Sequence, residues 1–320
     1  ACMPIFVRDA GQWREISSST GGEVFLRDGT SYTNKTINNI YVKDSGTWQE
    51  VYSLFETTSF ATISSSGQTT IAVPSNANAI HVQQAVGGGG GGTMGAGYDR
   101  AGGESSGGSG GSGAYISDRV YTVTAGEQLT ADVGGGGAPG NVSPGYNTSA
   151  ASGGNTSLTG ASAGTLFNLG SGGGSSNSTA GGGLLTATPG TAGALTTAGT
   201  SLSSGTTVDG LNITTFNSGV VGTFNSSGVG VVGATNGNCS GDQCVIYGAN
   251  GAASYDGNVA GGLGDSGSGT GFNNATAGTL GSGGGAGAHR DITGTGGNYT
   301  GTNGAAGGVG QIVYRFLRIS

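Results

Sequence analysis

The sequence predicts an all-β protein: a small N-terminal module of repeated β-hairpins, followed by a glycine-rich β-sandwich with polyglycine segments of polyproline-II character. Three observations carry that expectation. Apolar residues alternate in short runs bounded by turn residues, the period-two pattern of strands. No stretch combines helical apolar spacing, caps and sufficient length. The 74 glycines among 320 residues also fall in several tracts that leave one strand-like run and return to another.

The leading tract, Gly87–Gly92, places six glycines in succession inside Ala85–Ala114. Glycine has no Cβ and is entropically costly to order, so such a run needs a compensating reason. Ile80 and Val82 lead into it by alternation, and Tyr115, Ile116, Val120, Tyr121 and Val123 resume the alternation afterwards. A flexible linker would join two complete domains. Backbones packed too closely for side chains fit this placement better, in extended polyproline-II form. Further tracts stand at Gly134–Gly137, Gly172–Gly174, Gly181–Gly183 and Gly283–Gly285. Ser, Thr and Asn interrupt them, so a polyglycine lattice is expected only within Gly87–Gly113.

Composition removes several classes. Charged residues make up 8% of the chain, where about a quarter is usual. Collagen is excluded by the missing Gly-X-Y period and by only five prolines. Disorder is disfavoured because the charge that keeps such chains solvated is absent. With a net charge of −7, lysine only at Lys35 and Lys43 and no basic patch, nucleic acid is not an expected partner. No signal-peptide pattern opens the sequence, and no apolar run reaches the ~18 residues a membrane span needs. Membrane insertion is therefore not expected. A surface-type composition without a secretion signal suggests synthesis in a host cytoplasm and display on a virion released by lysis.

The chain opens with a repeat. Ile5-Phe6-Val7-Arg8-Asp9-Ala10-Gly11-Gln12-Trp13 returns as Ile40-Tyr41-Val42-Lys43-Asp44-Ser45-Gly46-Thr47-Trp48, and Val24–Gly29 is a weaker copy. Strand formers, Asp-x-Gly and a Trp-containing strand read as a β-hairpin. Each is too small to bury its own apolar face. Residues 1–56 are therefore expected to form an attachment module, with Phe6, Trp13, Tyr41 and Trp48 at attachment or oligomer contacts. Residues 57–320 form the glycine-rich domain, with framework at 57–137 and 307–320 and a variable loop insertion at 138–306. Six strands are expected: Phe60–Ile63, Thr69–Val73, Ala79–Val86, Arg119–Thr124, Glu127–Val133 and Gln311–Ile319. Pro74-Ser75-Asn76 and Thr124-Ala125-Gly126 supply turns. The last strand, the most apolar, is expected to pair centrally with strands near Ile71 or Ile80.

Catalytic patterns are weak. Gly108–Gly113 spells G-x-G-x-x-G with no helix to follow, and no lysine after Lys43 could complete a phosphate loop. His81 and His289 are the only histidines, and His81 lies on a strand between Ile80 and Val82, a structural setting. Asp242, Asp256 and Asp265 offer carboxylates at unknown separation. No enzyme activity, cofactor or metal is expected. Cys239 and Cys244 flank Ser240-Gly241-Asp242-Gln243, and the reduced pair and a loop disulfide remain equal alternatives.

The series Thr70–Pro74, Ile80–Gly92, Val120–Gly137 and Gly307–Tyr314 resembles the glycine-rich domain of phage tail-fibre and receptor-binding proteins. The N-terminal repeats also resemble modules of marine and cyanophage virion proteins. The glycine tracts are loosely similar to fibre-tip adhesins, in which polyglycine helices form a scaffold and intervening loops bind the host receptor. The resemblance implies a tail fibre or receptor-binding adhesin on the virion surface, homotrimeric, attached to other tail or capsid proteins through residues 1–56. A strand-exchanging subunit of an extracellular filament is the alternative class, and an ice-binding or matrix protein a third. Recognition of a host glycan or outer-membrane protein is expected between Asn141 and Asp291. Tyr with Ser, Gly and Asn is the palette of adaptable binding loops. Asp242, Tyr247, Tyr255 and Phe272 are the candidate contacts.

Overall fold

A computed structural model describes residues 58–94, 107–140, 148–179, 185–198, 248–254, 260–264, 274–291 and 299–318. It also describes strand backbone at 5–9, 12–16, 23–28, 31–36, 39–44, 47–53, 96–98, 103–105, 207–208, 211–212, 238–240 and 243–246. The chain divides into two compact units, Ala1–Thr57 and Thr58–Ser320. The described residues are all-β, without helix.

The first unit contains three antiparallel hairpins, each a separate two-stranded sheet. They pair Ile5–Asp9 with Gln12–Ile16, Glu23–Asp28 with Ser31–Thr36, and Asn39–Asp44 with Thr47–Ser53. Two residues separate the strands in each, the commonest hairpin connection. Register carries the repeat further than residue identity does: Arg8 stands opposite Trp13, Arg27 opposite Tyr32 and Lys43 opposite Trp48. The weak middle copy is thus a full hairpin, its second strand hidden by substitution.

In the second unit two antiparallel sheets hold the apolar core. One has the order Tyr115–Thr122, Ala79–Val86, Gln311–Leu317, Ala61–Ile63; the other runs Leu195–Ala198, Gly164–Leu169, Thr156–Gly160, Gln128–Val133, Gly67–Ala72. All six expected strands are present within a few residues of their bounds. The C-terminal strand is internal, between Ala79–Val86 and Ala61–Ile63. Its partner is the Ile80 strand. Ile71 belongs to the other sheet, opposite Leu129.

Ile80, Val82, Ile116 and Ile312 of the first sheet and Leu129, Leu158, Phe167 and Leu169 of the second are fully or almost fully buried. Tyr121 and Phe167 meet with ring centroids 6.3 Å apart, joining the two sheets. Three strands of the five-stranded sheet come from 138–306, so that interval contributes scaffold as well as loops. Both expected turns close, with Ala77 N–H donating to the Pro74 carbonyl and Glu127 N–H to that of Thr124. The buried Glu127 carboxylate accepts from the Thr124 amide (2.6 Å) and the Ser162 amide (3.0 Å), tying two turns together.

Beyond the sheets the strands continue as glycine-rich segments, and these form a lattice. Amides of Gly87, Gly90 and Thr93 donate to the carbonyls of Ala114, Gly111 and Gly108. Those of Gly88 and Gly91 donate to Gly154 and Ala151, and those of Gly89 and Gly92 to Gly308 and Ala305. Each neighbour is addressed by every third residue, the period of a polyproline-II helix. In all three the numbers run in opposite directions, so these neighbours are antiparallel.

The carbonyls face three more. Gly88 and Gly91 accept from Gly172 and Ser175, Gly89 and Gly92 from Gly137 and Gly140, and Gly90 and Thr93 from Gly284 and Gly287, all parallel. Segment 87–93 thus sits inside a ring of six, with every amide from Gly87 to Thr93 paired at 2.8 to 3.0 Å. Such pairing answers the cost of burying backbone polar groups. There is no room for a side chain: a Cβ on Gly88, Gly89, Gly90, Gly91 or Gly92 would run into a neighbouring carbonyl oxygen, of Gly135, Ser282, Gly173, Ala138 and Gly285 respectively.

The lattice is not confined to Gly87–Gly113, as the interrupted tracts led us to expect. It includes 134–140, 150–154, 170–175, 190–194, 282–288 and 305–310. The reason is geometric. At every third position of a segment a side chain as small as serine fits even inside the bundle: Ser109 and Ser112 are fully buried. In 107–113 the sequence Gly-Gly-Ser-Gly-Gly-Ser-Gly places the two backbone-blocked glycines of each turn beside one serine.

Candidate functional site at the distal end of the glycine bundle

Segment 87–94 leaves the sheet at Val86, and 282–288 runs parallel to it, so Met94 and Ala288 lie at the same end, remote from the sheets. Every outgoing segment turns back here. Short strands cap the turns: Ala96–Tyr98 with Gly103–Ser105, then Thr148–Ser149 with Ser176–Thr179 and Leu185–Thr188. A four-stranded sheet is ordered Asn238–Ser240, Gln243–Ile246, His289–Asp291, Tyr299–Gly301. Ala96–Tyr98 lies against Leu185–Thr188, His289–Asp291 and Tyr299–Gly301, gathering these caps into one distal region.

The rim beneath the caps is where hydroxyl and amide side chains replace glycine. Thr93 N–H donates to Ser175 Oγ (2.9 Å), Ser175 Oγ–H to the Gly108 carbonyl (2.6 Å), Gly108 N–H to Thr93 Oγ1 (2.9 Å), and Asn177 Nδ2 to the Met94 carbonyl (2.7 Å). All three side chains are buried. A satisfied buried polar network fixes one arrangement. It ends the lattice in register and sets where the distal turns begin.

Of the sequence-derived contacts, Asp242, Tyr247, Tyr255 and Phe272 lie outside the described residues. Asp242 belongs, by sequence, to the two-residue connection between Ser240 and Gln243, and Tyr247 follows Ile246. Cys239 and Cys244 stand directly opposite each other. Phe6 and Tyr41 are opposite Glu15 and Glu50, and Trp13 and Trp48 opposite Arg8 and Lys43. Residues 96–98, 103–105 and 299–301 join the distal region although they fall outside Asn141–Asp291. Their signal in the sequence is position: each adjoins the distal end of a glycine tract. Residues 248–254, by contrast, are lattice, with Gly251 N–H donating to the Gly262 carbonyl and Ala252 N–H to that of Gly110.

A second cluster sits on the core sheet that contains Ala79–Val86, Tyr115–Thr122 and Gln311–Leu317. Arg315 Nε donates to His81 Nδ1 at 3.1 Å, so the neutral ring carries its proton on Nε2, 3.4 Å from Asp118 Oδ1. Asp118 holds a left-handed φ of 47°, and the Arg315 guanidinium lies 4.7 Å from the Phe60 ring centre. Burial, then the Arg315 charge, lower the His81 pKa to about 4 against the opposing pull of Asp118. This cluster cross-ties strands. No nucleophile stands within it, and among the described residues no group of three His, Cys, Asp or Glu could hold a metal.

The fold and its distal region define a class: an all-β scaffold whose strands run on into a hydrogen-bonded polyglycine bundle closed at its far end by short strand pairs. A family model described as a glycine-rich domain matches residues 63–317. The chain belongs to that family. No curated protein matches the sequence.

Proposed function

We propose that this chain is a structural protein of the virion surface, a phage tail fibre or receptor-binding adhesin that attaches to the host cell. It works as a homotrimer made in the host cytoplasm and joined to other tail or capsid proteins through the hairpins of residues 1–56. The observation that carries this reading is directional: the glycine segments are locked by backbone pairing along their length, and their turns collect at the end opposite the sheets. Sequence in those turns is free to change without touching the scaffold. The low charge of the chain favours a glycan or an outer-membrane protein over a strongly ionic ligand. Asp242, Tyr247 and Phe272 are the proposed contacts at that end, with no catalytic step; Tyr255, the fourth sequence candidate, follows Ser254, whose hydroxyl donates to the Leu280 carbonyl beside Val86 at the sheet end.

Replacing Asp242, Tyr247 and Phe272 together by alanine tests the reading while leaving the lattice segment 248–254 intact. Virions should incorporate the altered protein as the same oligomer and lose adsorption. If adsorption persists, but fails when residues 1–56 are altered without loss of assembly, recognition belongs to residues 1–56. Among the described residues Gly67–Ala72 is an edge strand with mostly exposed side chains, which favours the filament alternative. Unlimited filaments of the purified protein in electron micrographs would establish that class instead, and a monodisperse monomer in light scattering would remove the trimer.

A further inference from the structure

We propose that Cys239 and Cys244 are a cross-strand disulfide site that closes the distal hairpin when the protein enters an oxidising medium. The two residues are directly opposed in an antiparallel pair, with Ser240 opposite Gln243 closing the two-residue connection. Opposed residues in such a ladder have Cα atoms roughly 4.5 to 5.5 Å apart. A disulfide requires about 4.4 to 6.8 Å. The pair that closes a two-residue connection exchanges the hydrogen bonds, so the next pair outward is the non-hydrogen-bonded one, the closer of the two kinds. That pair is Cys239 and Cys244.

The placement gives the bond a purpose. Gln243–Ile246 is held on both sides, by Asn238–Ser240 and by His289–Asp291. Among the described residues Asn238–Ser240 is the edge of its sheet, paired with the strand that carries Cys244 and no other. Short edge strands with few ladder bonds open readily. A covalent tie at the central residue of this one secures the connection that contains Asp242. The third cysteine, Cys2, belongs to the other unit.

Closure needs an oxidant, and a small-molecule disulfide such as oxidised glutathione supplies it. The thiolate of one cysteine attacks a glutathione sulfur and expels one glutathione thiolate; the second thiolate then attacks the protein sulfur of the mixed disulfide and expels the other. Two protein thiols lose two protons and two electrons, and one oxidised glutathione becomes two reduced molecules.

The proposal does not rest on the adhesin reading, and its test involves no host cell. The full chain is equilibrated with oxidised glutathione, denatured, alkylated with N-ethylmaleimide and weighed by mass spectrometry. Cys2 alone is expected to carry a label, either one alkyl group or one glutathione, on a chain whose other two cysteines have lost two hydrogens, against three alkyl groups after reduction. Cleavage before Asp242 should give fragments that separate only on reduction. Titration against a glutathione redox buffer should place the effective concentration of the pair at least about tenfold higher in native protein than in urea. Three alkyl groups after oxidation, glutathione on both Cys239 and Cys244, a bond from either of them to Cys2, or equal effective concentrations with and without urea would each overturn the proposal. A Cys2→Ser chain repeats the measurement with the third thiol removed and should show no alkylation.

Discussion

The sheets and the glycine bundle are built by the same strands yet held by opposite means. Ala79–Val86 packs Ile80 and Val82 into an apolar core; a residue later, Gly87 enters a lattice whose tightness depends on having no side chain. In the sheets, stability comes from apolar area removed from water, a force without direction that tolerates swaps of similar volume. In the bundle it comes from directed N–H to carbonyl pairs between backbones, and a single methyl group blocks the approach that makes them. The difference teaches that burial alone does not rank positions by sensitivity. What decides is whether the neighbour can yield, and a carbonyl fixed in a six-neighbour ring yields least.

Gly89→Ala or Gly90→Ala should show this most strongly. The added Cβ meets the carbonyl of Ser282 or Gly173, so several lattice bonds must open at once, for a loss on the order of 4 kcal/mol or more. Chemical denaturation would measure it, and a loss below 1 kcal/mol would mean the bundle is loosely packed. Leu129→Ala, at a fully buried site of the five-stranded sheet, should cost about 3 kcal/mol by leaving a cavity that its neighbours partly fill. If Leu129→Ala costs more than either glycine substitution, the ranking fails.

A pH effect separates the regions in a different way. The pKa of His81 is lowered from 6.5 to about 4, so as pH falls the unfolded chain takes up the proton first. Stability from this site is fully present above about 6.5 and is lost between 6.5 and 4, by on the order of 3 kcal/mol. Denaturation of wild type and His81→Gln at a series of pH values should differ in slope across that window and run parallel below it. The smallest effect belongs to Gly135→Ala. Its added Cβ would find only the Ser66 Cβ at 3.7 Å, so stability should move by no more than about 0.5 kcal/mol. Next to it, Gly136→Ala meets the Gly307 carbonyl and should behave like the central glycines. Equal effects at these adjacent positions would refute the face-by-face account.

The regular strands were legible because alternation and turn residues report a half-buried surface locally. Ala79–Val86 was readable to the residue, and the turns at Pro74 and Thr124 followed from their chemistry. The reach of the lattice was not, because a packed polyproline-II segment has no apolar pattern and its partners lie far away in sequence. The Gly-Gly-Ser period of 107–113 was a usable signal: one serine per three residues marks the one face that admits a small side chain, Ser109 and Ser112 being fully buried in the bundle. It was overshadowed by the chance G-x-G-x-x-G spelling. The distal region was partly legible, since Cys239 and Cys244 drew attention to their hairpin. The strands at 96–98, 103–105 and 299–301 did not, because only the return of each glycine segment brings them to one end.

The bonds around segment 87–93 lie across the bundle axis, and this gives the molecule a mechanical character. At roughly 3.1 Å per residue, these seven residues extend about 20 Å. A pull applied at the turns and resisted at the sheets loads the transverse bonds in shear, so the rank of them must fail together. A hairpin pulled open at its ends would instead lose its bonds one by one. With only a few small side chains between segments there is also little slack to take up before the load is shared. The bundle is therefore a stiff strut, in which tension at the Met94 end reaches the Val86 end with little extension.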